Sequence, residues 1–241
     1  MLNNHNKNKQ IFEINCDKIS FSYSKKIPAI FKDLSFKYSR PGFHALFGES
    51  GVGKSSLAKI LAGYIVPNKG RIVYQGITNV IYTTNQERFP GWQSVEKHFD
   101  SVLPKEKHNL WRKMMTDFGI SNLMQSRFSQ LSLGQQNRVN LIRYLFQDDP
   151  VLIMDESLAN VDENMREKII LLIKKQFPDK CFIYISHHVR EVCKFCDQII
   201  VLRSQNKEPQ VLIFKGQNCM GDSIMDVASF EQKMMEIVNA S

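Results

Sequence analysis

Residues Gly48 to Ser55 read Gly-Glu-Ser-Gly-Val-Gly-Lys-Ser, the spacing G-x-x-x-x-G-K-S. Glycines at this density let consecutive backbone N–H groups turn inward around anionic oxygens, a concavity that side chains would block. Lys54 adds a compact positive charge on a long stem, and the Ser55 hydroxyl is a hard oxygen donor for a divalent cation. The flanks agree. Phe43 to Phe47 reads as a buried strand, and Ser56 to Ala62 as a helix whose N–H-rich end faces the loop. Strand, glycine loop and helix in this order describe a holder for the phosphates of a nucleotide triphosphate. Gly48, Glu49, Ser50, Gly51, Val52, Gly53, Lys54, Ser55 and Ser56 are its binding candidates.

A chain of 241 residues buries enough surface for one large domain with a subdomain, here expected over residues 11–241. Residues 1–10 are polar and rich in Asn and Lys, so they are expected to be disordered and to be no secretory signal. No apolar run approaches the roughly 20 residues of a membrane-spanning helix, which points to a cytoplasmic protein. Five cysteines, an odd number, argue against a disulfide framework. Cys193 and Cys196 form a lone C-x-x-C with no second pair for a structural zinc, and read as residues on the flank of a helix. The net charge of +8 would suit nucleic acid or an anionic membrane face, but the basic residues are scattered along the chain, so charge alone decides nothing. Nucleic acid is not the expected partner, though the charge keeps a nucleic-acid-linked ATPase open.

Short strands are expected at Phe12–Ile14, Ile19–Tyr23 and Leu34–Lys37, joined by polar turns into an antiparallel N-terminal sheet. Two more are expected at Arg71–Gln75 and Asn79–Thr83, around a turn at Gly76. From Ser94 to Leu145 the pattern is helical, with Trp111, Met114, Met115 and Phe118 on one core-facing stripe. Val151–Met154, Cys181–Ser186 and Gln198–Arg203 are continuous apolar runs of the kind buried in a parallel sheet. Helices are expected at Glu163–Phe177 and Asp222–Val238. Strands alternating with helices give an α/β class with a mainly helical insertion, at about residues 88–147.

The run Val151–Met154 ends in Asp155-Glu156. A carboxylate at the end of a strand beside a phosphate loop is placed to hold Mg²⁺, and a second one to polarise a water. Further on, Leu131-Ser132-Leu133-Gly134-Gln135 resembles the Leu-Ser-Gly-Gly-Gln signature of the ATP-binding cassette (ABC) family. The family's other marks are matched in order: Tyr23 by the aromatic that stacks on adenine, and Gln86 by the glutamine that senses Mg²⁺ and the γ-phosphate. Asp155 and Glu156 match the metal-binding aspartate and catalytic glutamate, Ser157 to Asp162 the loop crossing the dimer interface, and His187 the switch histidine. The resemblance covers about Phe12 to Arg203. It implies a P-loop NTPase fold with a RecA-like core, an N-terminal antiparallel β subdomain and an inserted α-helical subdomain.

That resemblance further implies ATP and Mg²⁺ as ligands, with Glu156, His187 and Gln86 catalytic. Ser55, Gln86 and Asp155 would serve the metal, and Ser132, Gly134 and Gln135 the nucleotide of a second cassette packed head to tail. Leu133 departs from the family, which usually has glycine there. Gln86 to Val95 resembles a stretch of bacterial importers of the nitrate, sulfonate and taurine group, where it lines the groove for the permease. Phe89 and Trp92 are its aromatic anchors. The expected partners are a second ABC ATPase chain, a membrane permease and a solute-binding protein, at the cytoplasmic face of the inner membrane. An exporter subunit and a soluble non-transport ABC ATPase stay open as alternatives.

Overall fold

The computed structural model describes residues 11–83, 91–221 and 226–241. The expectation of disorder at residues 1–10, and the candidates Gln86 and Phe89, lie outside them. β1 (Glu13–Phe21), β2 (Phe31–Tyr38) and β4 (Lys69–Gln75) form an antiparallel sheet in the order β2-β1-β4. The second sheet runs β5 (Val80–Thr83), β6 (Val151–Asp155), β7 (Cys181–Ile185), β3 (Gly42–Phe47), β8 (Gln198–Leu202), β9 (Val211–Lys215). Its first five strands are parallel and β9 is antiparallel. The helices are α1 (Lys54–Leu61), α2 (Val95–Val102), α3 (His108–Asp117), α4 (Leu133–Leu145), α5 (Glu163–Gln176), α6 (Val189–Phe195) and α7 (Val227–Ala240).

The parallel strands are mainly apolar because both faces are covered, with His44 of β3 a buried exception. On β6, Val151 and Ile153 join a core with Leu57, Ile60 and Leu61 of α1 and with the three-stranded sheet. Leu152 and Met154 point the other way, into a core that takes in Phe99, Trp111, Met114, Met115 and Phe118. Within it the Trp111 ring stacks on Phe99 at 4.9 Å between centroids. The stripe read from the sequence is therefore core.

Some expected boundaries are corrected. The strands expected at Phe12–Ile14 and Ile19–Tyr23 fall on one strand, β1, which runs only from Glu13 to Phe21. The polar residues between them form a bulge, with Lys18 at φ 51° and register shifts on both neighbours. Tyr23 lies beyond that strand. The helix after the glycine loop begins at Lys54, two residues earlier than expected. β9 was not expected: it is a half-exposed edge strand, with Ile213 in solvent, although Val211 to Phe214 form an apolar run like those of its neighbours. The last helix is described from Val227, residues 222–225 lying outside the described part. Cys193 lies inside α6 and Cys196 at its end, both buried. No helix among the described residues is long and apolar enough to cross a membrane.

Candidate active site

Because β6, β7 and β3 are parallel neighbours, the loops leaving their carboxyl ends converge at one edge of the sheet. There they enclose an open cleft of about 240 Å³ lined by Ser50, Gly51 and Gly53 to Ser56 of the glycine loop and start of α1, with Asp155, Glu156, Ile185 and His187; Gly48, Glu49 and Val52 are not in its lining. Gly53, which precedes α1, has φ 106°, and a Cβ there would come within 2.6 Å of Ile30 and 2.8 Å of the Phe31 ring. Only glycine fits both demands. No side chain caps α1 and its first turn holds no acidic residue, so its N–H groups are left for an anion from outside the chain.

Lys54 is buried, its Nζ donating to the carbonyls of Gly48 at 2.8 Å and Glu49 at 2.7 Å. Burial pushes its ammonium below the usual lysine range, while Asp155 and Glu156 act in the opposite direction. Tyr23 stands beside the start of α1: its hydroxyl lies 2.8 Å from Ser56 Oγ, and its ring is largely exposed.

Asp155 ends β6 almost completely buried, and its Oδ2 accepts a 2.6 Å hydrogen bond from the hydroxyl of Tyr82 on β5. Burial first, and the bond to Asp155 second, push the phenol well above its ordinary range, so it stays protonated and donates. The next residue, Glu156, adopts φ 52°, a left-handed conformation that costs a non-glycine residue energy and that clusters at functional sites. That conformation turns its carboxylate out of the strand direction and toward the end of β7, where Oε1 lies 2.7 Å from His187 Nε2. Ser55 and Asp155 bring hard oxygen donors to the same cleft, a donor set that fits Mg²⁺.

The signature segment lies elsewhere. Ser132 caps α4: its Oγ accepts from Gln135 N, and Gln135 Oε1 accepts from Ser132 N at 2.8 Å. Ser-x-x-Gln is thus a capping box, a pattern open to view in the sequence beside the family signature. Gly134 packs so closely on the next loop that a Cβ would meet the Asn160 carbonyl oxygen at 2.5 Å. Leu133 is 51% exposed. None of Ser132, Gly134 and Gln135 is among the described residues lining the cleft, and neither is Tyr23.

The support behind this edge could not be read from consecutive residues. Arg166 of α5, buried, donates to Glu191 of α6 at 2.5 Å and to the Val161 carbonyl at 2.8 Å, while the Tyr184 hydroxyl donates to the other Glu191 oxygen at 3.0 Å. The network ties the loop after Glu156 to the helix that follows His187. Charged residues on helices read as solvated faces, and only the fold shows that these two are buried.

A family model described as "ABC transporter" matches residues 31–159, more than half of the chain. The chain belongs to the ABC transporter family. Among its ABC relatives is the lactococcin-G-processing and transport ATP-binding protein LagD of Lactococcus lactis subsp. lactis. It is 32% identical over 224 residues, covering 83% of this chain and 31% of LagD. The molybdenum import ATP-binding protein ModC of Brucella melitensis is 29% identical, over 67% of this chain and 50% of its own. The thiamine import ATP-binding protein ThiQ of a Jannaschia species is 30% identical, over 66% and 76%. The chain therefore spans only a third to a half of the length of LagD and ModC. An ATP-bound bacterial Atm1-family ABC exporter superposes with a TM-score of 0.72 at 19% identity, over 92% of this chain and 42% of that one. An inward-facing metal-chelate-type ABC transporter superposes at 0.67 and 18%, over 86% and 84%. At those identities the two structures speak for the ABC ATPase fold alone.

Proposed function

We propose that the chain is the ATP-binding, ATP-hydrolysing subunit of a bacterial ABC importer. The observation that carries this reading is the convergence of Lys54, Ser55, Asp155, Glu156 and His187 on one cleft at the carboxyl edge of the parallel sheet. The glycine loop and the start of α1 would cradle the phosphates of ATP, with Lys54 on the outer ones. Ser55 and Asp155, with Gln86, would hold Mg²⁺, which neutralises charge on the β- and γ-phosphates. Glu156 would take the proton from the attacking water, His187 would position it against the γ-phosphate, and the Tyr23 ring would stack on the base. Lys54→Ala is expected to weaken ATP binding about 10–100-fold, the scale of a lost charge-assisted pair, with the apo melting temperature little changed. Equilibrium binding of a fluorescent ATP analogue measures this.

Ser132, Gly134 and Gln135 lie outside the cleft lining, which supports a site completed by the signature segment of a second cassette. The exposed Leu133 would then face the partner's nucleotide, with α2 to α4 forming a helical subdomain. Trp92, 75% exposed, would anchor a permease, together with Phe89. ModC and ThiQ, both import proteins by name, support the importer reading, and residues 86–95 favour the nitrate, sulfonate and taurine group. LagD, a processing and transport protein, favours the exporter alternative. The test is purification of the tagged chain from detergent-solubilised membranes. A co-purifying multi-span permease, with Mg-ATP hydrolysis by the complex, supports the reading. A chain recovered without any membrane protein would overturn it.

A further inference from the structure

Tyr82 has no part in the mechanism above, yet its hydroxyl ends at the metal corner. It lies on β5, the edge strand, paired in register with Ile153 of β6. It therefore faces α1, whereas the next residue, Thr83, faces away and bonds Ser157 Oγ at 2.7 Å. From there the phenol reaches along β6 to Asp155 Oδ2 at 2.6 Å, at the edge of the cleft that Ser55 also lines. The ring is fixed, buried in the core under α1 with Tyr64 edge-on at 6.0 Å and 76°. A buried, immobilised donor thus stands against the strand-end carboxylate in the cleft that the loop serine shares.

We propose that Tyr82 is a positioning residue for the divalent cation, holding the Asp155 carboxylate in the orientation in which it serves the metal. The inference rests on the reading that Ser55 and Asp155 form a Mg²⁺ corner. A carboxylate on a one-carbon stem swivels about its last torsion. The phenol's single proton fixes that torsion by taking one oxygen, and leaves the other for the cation or its water. Outer hydrogen bonds of this kind orient ligating groups, and their loss typically costs roughly 10–100-fold in metal affinity.

Tyr82→Phe removes the hydroxyl and keeps the ring against Tyr64. In a Mg²⁺ titration of the full chain, with a fluorescent ATP analogue at a fixed concentration, the midpoint should rise about tenfold. Binding of the analogue in EDTA should stay within about twofold of wild type, since the phosphate loop is intact. In an Asp155→Ala background, the same substitution should no longer move the midpoint. An unchanged midpoint in Tyr82→Phe, or an equal loss of affinity in EDTA, would overturn the proposal, as would a shift that persists in the Asp155→Ala background. A wild-type chain whose analogue binding ignores Mg²⁺ would overturn the metal corner as well as the role of Tyr82.

Discussion

Glu156→Gln is expected to lower ATP turnover by about 10²–10⁴, the range for loss of a general base, while ATP still binds. The substitution is nearly isosteric, so the argument turns on charge alone. An amide cannot accept the water's proton, but its oxygen can still accept from His187, as Glu156 Oε1 does at 2.7 Å. The backbone at φ 52° is no more strained for glutamine than for glutamate, so the loop should keep its shape. At about 1.4 kcal/mol per tenfold, the loss corresponds to roughly 3–5 kcal/mol of transition-state stabilisation. Single-turnover hydrolysis, measured beside equilibrium ATP binding, separates the two effects. Turnover within about threefold of wild type would remove Glu156 from the chemistry and leave it as the holder of His187.

Glu191→Ala is expected to destabilise the fold by about 3–5 kcal/mol, because it strands the buried Arg166 charge and leaves the Tyr184 hydroxyl without its acceptor. For a chain of this size that is a fall of roughly 6–20 °C in melting temperature. An exposed pair gives the contrast. Lys113 and Asp117, one turn apart on α3, bond at 2.5 Å with the lysine largely in solvent, and Asp117→Ala should cost less than about 1 kcal/mol. Adding Arg166→Met to Glu191→Ala should recover much of the loss, since the uncompensated charge leaves with the arginine. Thermal melts of the three variants beside wild type test this, and equal shifts for Glu191→Ala and Asp117→Ala would show that the buried network adds nothing special. The network also joins Val161, in the loop after Glu156, to α6 after His187, so loosening it should blur the geometry of both.

The parts of the site that could be read in the chain were those whose chemistry is written in consecutive residues. Gly48 to Ser55, Asp155-Glu156 and the apolar strands before them announce themselves, because a phosphate loop needs closely spaced glycines and a doubly covered parallel strand needs a nearly continuous apolar run. Groups that act across the fold were hidden. Tyr82 meets Asp155, 73 positions away in the chain, only because β5 pairs with β6. Arg166 and Glu191 look like surface charges until α5 and α6 bury them together. The bulge at Lys18 looked like a turn, since both interrupt an apolar alternation with polar residues. Edge strand β9 carries an apolar run, Val211 to Phe214, but a run that short does not by itself separate a strand from a buried helix segment. Ser132 and Gln135 were matched to the family signature, but their reciprocal capping of α4 follows from local chemistry that was equally in view.

The composite site stands or falls on association driven by ATP. Light scattering of the purified Glu156→Gln chain, with and without Mg-ATP, measures it directly. The predicted result is a monomer alone and a particle of twice the monomer mass with Mg-ATP, reverting to monomer when Gly134→Val thrusts a side chain against Asn160 at the start of α4. A Glu156→Gln chain that binds ATP fully and remains monomeric, beside a wild-type monomer that hydrolyses it at an undiminished rate on dilution, would contradict the account.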